Sequence, residues 1–309
     1  MTANTLDVVV VGNAGVDTNI YIQDDLINLN VEANFTENID CVGQAGGYTS
    51  RGFAQLDKKT AFIGYVGDDH NGRFVIDELR RDGVDTTGVF IDPMGTARSV
   101  NLIYKNGRRN NFYDGKGHMH LRPDLERCRA VLSRAQLAHF NIPNWARYLL
   151  PVARELGLTI SCDIQDIVGG IDDYRREFVS YASIVFFSAT NQTDPKSMIE
   201  YFLRGNPTQI VIAGMGAKGC AVGTAKEGIH FFPALARGGP VVDTNGAGDS
   251  LAVGFLSSFV LARYSLFDAI DRGQIAARHK CTLKASSSNL IRSTELECWF
   301  EQTHSQGQT

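Results

Sequence analysis

Val8, Val9, Val10 and Val11 form a wholly apolar, β-branched run that stops at Gly12. That pattern predicts a strand buried on both faces of a parallel sheet. Phe53 and Leu56 follow at helical spacing, and Ala61, Phe62, Ile63 and Gly64 then read as a second buried strand, a strand–helix–strand order. From Asp124 onward the alternation continues. Helical stretches at Leu125 to Gln136 and Trp145 to Leu156 interleave with strand-like runs at Ala138 to Ile142, Leu158 to Cys162, Ile184 to Phe187 and Gln209 to Ala213. An α/β domain around a mostly parallel sheet is expected, and such sheets hold ligands at the carboxyl ends of their strands.

Two segments have a different period. Leu29, Val31, Ala33 and Phe35 alternate with polar residues up to Thr36, which predicts a strand with one wet face. Between Ser99 and Tyr113, Val100, Leu102 and Tyr104 lead into Asn106-Gly107 and then Phe112, a hairpin signal. The two segments are expected to pair as a small sheet outside the main one, a lid, with separate surface hairpins as the alternative. Val31 and Phe35 on an exposed lid invite pairing with a second copy, a homodimer. The residues past Phe300 are polar, and 301–309 are expected to fray.

Composition narrows the class. The 309 residues are 43% hydrophobic and 21% charged, with formal net charge -4, which fits one large domain, or one plus an insert. No apolar run is long enough to span a bilayer, and Met1 does not open a secretory pattern, so no membrane partner is expected and the cytoplasm is the default location. Cys41, Cys128, Cys162, Cys220, Cys281 and Cys298 are scattered without paired spacing and read as buried free thiols. Without a long basic block, nucleic acid is not an expected partner, and small molecules are favoured.

Candidate chemistry concentrates in Asp243, Thr244, Asn245, Gly246, Ala247, Gly248, Asp249 and Ser250. Leu251, Phe255, Phe259 and Ala262 follow at helical spacing, so this glycine-rich turn opens a helix whose unpaired N–H groups favour a phosphate. Asp249 is placed to take a proton from a hydroxyl attacking that phosphate; the alternative is an acid that only complements the helix dipole. Gly214, Gly216 and Gly219 satisfy G-x-G-x-x-G, but the β-like run Ile229 to Phe232 follows where a dinucleotide fold needs a helix. No P-loop and no G-x-S-x-G elbow is present, and His118 and His120 lack a third ligand.

The octet resembles the second signature of the ribokinase-like, or PfkB, carbohydrate kinases, and similar segments run from Val8 to about Ser288, among them Gly46-Gly47 and Phe62 to Asp69. The resemblance implies a three-layer α/β/α ribokinase-like fold over residues 1–300, with a mostly parallel central sheet and a small β lid near 14–40 and 97–115. It also assigns roles. Asp249 would be the base, with the backbone of Gly246, Ala247 and Gly248 as anion hole. Asn13, Asp17, Gly46, Gly47 and Asn141 would bind the acceptor, as would Arg51, which stands in place of the family's Asn. Asn191, Gly216, Lys218, Gly219, Thr244, Ala276 and His279 would lie along ATP, and Asp194 would reach magnesium through water.

The implied activity is ATP-dependent, Mg2+-assisted phosphorylation of a primary hydroxyl on a sugar or sugar-like molecule. A nucleoside acceptor is the alternative, with Tyr48, Phe112 and Tyr113 as a wall for the base; a catalytically silent sugar-binding protein is a more remote one. Arg51 facing the pocket would favour a sugar acid or sugar phosphate, because a guanidinium cannot accept a hydrogen bond. K+ is left open, since Ser286, Ser287 and Ser288 replace the family's glycine-containing loop.

Overall fold

The computed structural model describes residues 5–105, 109–167, 170–191, 194–236, 238–285 and 287–305. The chain begins with β1 (Val8–Val11), β2 (Gly15–Ile22) and β3 (Thr36–Gly43), then α1 (Gln44–Gln55) and β4 (Thr60–Val66). There follow α2 (His70–Arg81), β5 (Asp85–Ile91), β6 (Arg98–Ile103) and β7 (Arg109–Asp114). The middle comprises α3 (Leu125–Leu132), β8 (Leu137–Phe140), α4 (Leu150–Glu155), β9 (Thr159–Asp166), α5 (Asp173–Tyr181) and β10 (Ile184–Ser188). Last come α6 (Lys196–Gly205), β11 (Ile210–Gly214), β12 (Cys220–Thr224), β13 (Gly228–Phe232), α7 (Ala247–Leu256), α8 (Leu266–Cys281) and α9 (Ser293–Ser305).

The main sheet has the order β13-β12-β11-β10-β9-β8-β1-β4-β5. It is parallel from β11 to β5; β12 pairs antiparallel with both β11 and β13 and alone runs against the other strands. The four valines of β1 explain the layering. Val9 and Val11 pack into a core with Leu132, Trp145, Leu149 and Phe178, whereas Val8 and Val10 join Phe53, Leu251, Phe255 and Ile275 on the other face. Alternate side chains of one strand thus bury against two helical layers, each Val contributing about 1.5–3 kcal/mol. No helix opens at the G-x-G-x-x-G, in line with the β-like run that follows it in the sequence: Gly216–Lys218 is a short 3-10 turn between β11 and β12.

On one face α7 and α8 touch backbone to backbone. A Cβ on Gly254 would lie 2.9 Å from Arg272 O, and one on Gly273 would lie 2.8 Å from Leu251 O. That close approach brings the C-terminal end of α8 against the loop leading into α7, where Val242 N–H donates to Cys281 O at 2.7 Å.

The lid is a separate four-stranded sheet, β3-β2-β6-β7, in which β2 is antiparallel to β3 and parallel to β6. β6 and β7 pair antiparallel, as the hairpin signal predicts; the Asn106-Gly107 turn itself lies outside the described residues. The alternating segment Leu29 to Thr36 is a correction, since β3 begins only at Thr36. Leu29 and Phe35 are 83% and 91% exposed. Alternation predicts a strand only where a face exists to bury, and among the described residues nothing covers Leu29 or Phe35.

A second correction concerns the C-terminus, where α9 continues to Ser305 rather than fraying after Phe300. Thr303 Oγ1 returns a hydrogen bond to Trp299 O at 2.8 Å, and His304 packs on the Phe300 ring. The expectation for 306–309 lies outside the described residues. Of the cysteines, Cys128, Cys162 and Cys220 are buried, but Cys298 is exposed and Cys41 and Cys281 are half-buried. Among the described residues no helix is long and apolar enough to cross a membrane.

Candidate active site

Gly246 caps α7 in the left-handed conformation, with φ 80° and ψ 2°. A Cβ there would stand 2.5 Å from Tyr48 Cδ1, so both the dihedral and the close approach require glycine. Asp243 Oδ1 accepts the Asn245 N–H at 2.8 Å, which fixes the turn. The N–H of Ala247 donates to Thr244 O at 3.2 Å and is therefore shared with the turn. Gly248 has open space where a Cβ would project, and it lies with Asp249 in the first turn of α7, where N–H groups lack intrahelical acceptors. An anion at this point meets donors and the positive end of a dipole.

Asp249 is half-buried beside that opening. Burial holds its carboxyl well above the ordinary carboxylate range; the nearby Asp163 and Asp17 raise it further, and Arg109 offsets part of the rise. Burial also pushes Asp163 up to about 6. A carboxyl raised by its surroundings is suited to proton transfer near neutral pH.

Facing the turn is a floor built by three elements. Asp17 lies on β2, Gln44 opens α1, and Asn141 follows β8, its N–H donating to Val11 O at 2.9 Å. Glycines make room for all three. A Cβ on Gly12 would be 2.2 Å from Asn141 Oδ1, one on Gly15 would be 2.7 Å from Gln44 Nε2, and one on Gly43 would be 2.0 Å from the Asp17 carboxyl carbon. Asp17 is 3% exposed. Its Oδ2 accepts from Asn245 Nδ2 at 3.0 Å, joining the floor to the Gly246 turn. Its Oδ1, both amide atoms of Asn141 and both of Gln44 are buried with no partner among the described residues. Buried polar atoms left unpaired cost about 1–3 kcal/mol each, and a ligand rich in hydroxyls would satisfy them. Gly46 and Gly47 act through the backbone: Gly46 N–H donates to Asn13 O at 2.8 Å, and Gly47 packs against Val42.

The lid closes over this floor. Arg109 of β7 donates to Asn245 Oδ1, Tyr113 accepts from Asn13 Nδ2, and Tyr21 of β2 donates to Asp243 Oδ2 at 3.1 Å. Sequence reading did not single out Arg109, Gln44, Asp163 or Asp166 for the site, and it named Asn245 only as part of the octet, with no role. Only Asp163 and Asp166 carried a usable signal, since they end a core strand on the ligand-bearing edge of the sheet.

Several expected site residues are placed elsewhere. Arg51 does not reach the acceptor floor: it is 2% exposed, with Nε 2.5 Å from Asp82 Oδ2, Nη2 3.2 Å from Glu78 Oε2, and Nη1 donating to Ser287 Oγ at 2.7 Å. Its charge is spent on tying α1 to α2. Arg51→Met is accordingly expected to lower unfolding free energy by about 1.5–3 kcal/mol while leaving acceptor KM unchanged, as read by urea denaturation and steady-state kinetics.

Tyr48 is buried against Gly246 and cannot wall a base. Ala276 is also buried, beneath Gly254 at the α7–α8 contact, so it serves helix packing. His279 sits 3.5 Å from Glu295 and edge-on to Trp299. Gly216 and Gly219 take positive φ in the turn that leaves Lys218 exposed, and Thr244 is exposed at the catalytic turn. Asn191 Nδ2 donates to Asp166 Oδ2 at 2.7 Å, and exposed Asp194 accepts the Lys196 N–H at 2.9 Å just ahead of α6. Among the described residues no group of three or more His, Cys, Asp or Glu is arranged to hold a metal ion.

The chain is similar to several known proteins. It is 30% identical over 298 residues to an acarbose 7(IV)-phosphotransferase of Actinoplanes, covering 92% of this chain and 95% of that one. It is 26% identical over 252 residues to a probable fructokinase-5 of Arabidopsis thaliana, covering 73% and 76%. Among solved structures, a microbiome-derived acarbose kinase, Mak1, superposes with TM-score 0.86 at 29% identity over 96% of this chain and 99% of that one. An Arabidopsis thaliana ribokinase complexed with ribose and ATP superposes at 0.79 with 20% identity, over 96% and 99%, which speaks for the fold. The family model for pfkB family carbohydrate kinases matches residues 6–158 and 178–292, and with a helix-capping Gly-Ala-Gly-Asp turn set over a floor of unsatisfied polar groups, the chain belongs to that family.

Proposed function

We propose that the protein transfers the γ-phosphoryl group of ATP to a primary hydroxyl of a neutral sugar or sugar-like acceptor. One observation carries this reading: Asp249, at the donor-rich end of α7, lies within electrostatic reach of Asp17, whose Oδ1, with the Gln44 and Asn141 amides, is left unpartnered beneath a lid tied to the same turn. Asp249 takes the hydroxyl proton as that oxygen bonds to the γ-phosphorus. The bond from phosphorus to the leaving ADP oxygen breaks, and the N–H groups of Gly246, Gly248 and, in part, Ala247 hold charge on the transferring group. Asp166, whose Oδ1 is buried without a partner among the described residues, and Asn191 would face a Mg2+ carried by the phosphates, with exposed Asp194 acting through water. Such an ion neutralises phosphate charge.

The acceptor follows from charge. With Arg51 committed to Asp82 and Glu78, the floor and its surroundings offer the carboxyls of Asp17, Asp163 and Asp249 against the one guanidinium of Arg109, a balance that disfavours a sugar acid or sugar phosphate. The nucleoside alternative loses the wall that Tyr48 was to supply. Likeness to acarbose and fructose kinases supports testing acarbose and simple sugars first. ADP release with Mg-ATP and a panel of acarbose, fructose, ribose, 2-dehydro-3-deoxygluconate and adenosine decides the matter: turnover confined to the acid or to adenosine would overturn the proposal. Within it, Asp17→Asn is expected to lower acceptor kcat/KM by about 10–100-fold with ATP KM little changed. A homodimer through the lid is supported by exposed Leu29 and Phe35; sedimentation showing only monomer at micromolar concentration would dismiss it.

A further inference from the structure

Lys280, near the end of α8, is fully buried, at 0% exposure, and its Nζ has no hydrogen-bond partner among the described residues. Burying an unpaired ammonium is costly, so its position calls for a reason. The ammonium lies 5.8 Å from the centre of the Tyr48 ring, the ring against which Gly246 of the anion hole packs. Its own helix end is bonded to the catalytic loop, with Val242 and Asp243 N–H groups donating to Cys281 O at 2.7 and 3.3 Å. Burial pulls the ammonium toward its neutral form; Asp243 and the Cys281 and Cys41 thiols act against that pull, and Arg109 adds to it.

Asp243 poses an electrostatic problem that a cation here would solve. Its carboxylate holds the turn through Asn245 and is bonded by Tyr21, yet a negative charge directly behind a phosphate-binding turn weakens that turn for anions. A resident positive charge restores it. The resemblance raised K+ for this neighbourhood, but the surroundings do not fit K+. Both Asp243 oxygens already accept hydrogen bonds, and the nearby buried space holds an ammonium that would repel the ion.

We infer that Lys280 supplies, from within the chain, the monovalent positive charge behind the phosphate-binding turn, so that this kinase works without K+. Lys280 is a positioning residue that acts through Asp243 and the turn and touches neither substrate. The inference rests on the phosphotransfer reading above, and its test separates the two. In wild-type protein, exchanging KCl for choline chloride at equal ionic strength is expected to change turnover of the best acceptor by less than about twofold, and to leave the thermal midpoint without a K+-specific rise.

Lys280→Met is expected to lower kcat by about 10²-fold with a smaller change in ATP KM. NH4+ or K+, but not tetramethylammonium, should recover part of that loss and raise the variant's thermal midpoint. A packing role alone would lower the midpoint without ion-specific rescue. Lys280→Met with wild-type kcat, or a wild-type enzyme activated or stabilised specifically by K+, would overturn the inference. If the variant does not fold, the wild-type comparison decides. If no acceptor is turned over, the phosphotransfer reading fails while the wild-type thermal midpoint in K+ and choline still decides the cation question.

Discussion

Asp249→Asn is expected to lower kcat by about 10²–10⁴-fold while ATP affinity is retained. The amide keeps the size and most contacts of the carboxyl but cannot accept the hydroxyl proton. Asp249 stands in the first turn of α7, and its loss leaves the N–H donors of the turn in place, so phosphate binding should survive. Steady-state kinetics with the best acceptor, together with calorimetric titration of ATP, separates the two effects; near-normal turnover would remove Asp249 as the base. The pH profile adds a sign. Burial, Asp163 and Asp17 all hold the Asp249 carboxyl above its ordinary value, and the base must be deprotonated to act. Activity should therefore rise with pH through a limb displaced above the usual carboxylate range, and Asp249→Asn should abolish that limb.

The second large effect is expected from Gly246→Ala, which changes one methyl group. At φ 80° an L-residue is strained, a cost of about 1–3 kcal/mol, and the added Cβ would fall 2.5 Å from the Tyr48 ring. Tyr48 is enclosed, at 2% exposure, so the turn must yield instead. Displacing the turn moves the anion-hole donors together with Asn245, whose Nδ2 holds Asp17. We expect kcat/KM to fall by about 10²–10³-fold and the protein to lose stability as well. Gly248→Ala is the control, because nothing lies within 4 Å of a Cβ there; its stability should be close to wild type. Equal thermal midpoints for the Gly246 variant and wild type would contradict the packing account.

The elements that were legible in the sequence carry their own environment. The valine run of β1 and the octet around Gly246 needed no knowledge of distant residues, since a β-branched apolar run and a glycine-rich turn before an amphipathic helix dictate local backbone. The Leu29 to Phe35 alternation failed for the opposite reason: its pattern was right for a strand, but no partner face lay beneath it. Arg51 failed similarly. Residue type showed that it wanted an acid, yet whether that acid was a substrate or Asp82 depended on how α1 packs on α2.

The sequence alone determined the α/β class and marked the glycine-rich turn that opens a helix with Asp249 inside it, because periodicity and contiguous motifs act over a few residues. The tertiary structure decided everything that depends on partners far along the chain. It joined Arg109 to Asn245 across 136 residues and Asn245 to Asp17 across 228, tied Arg51 to Asp82 and Glu78, and set the Lys280 ammonium near Tyr48, against which Gly246 packs. A side chain's charge and hydrogen-bonding capacity are written in its residue type, but how they are used depends on which group folding brings opposite.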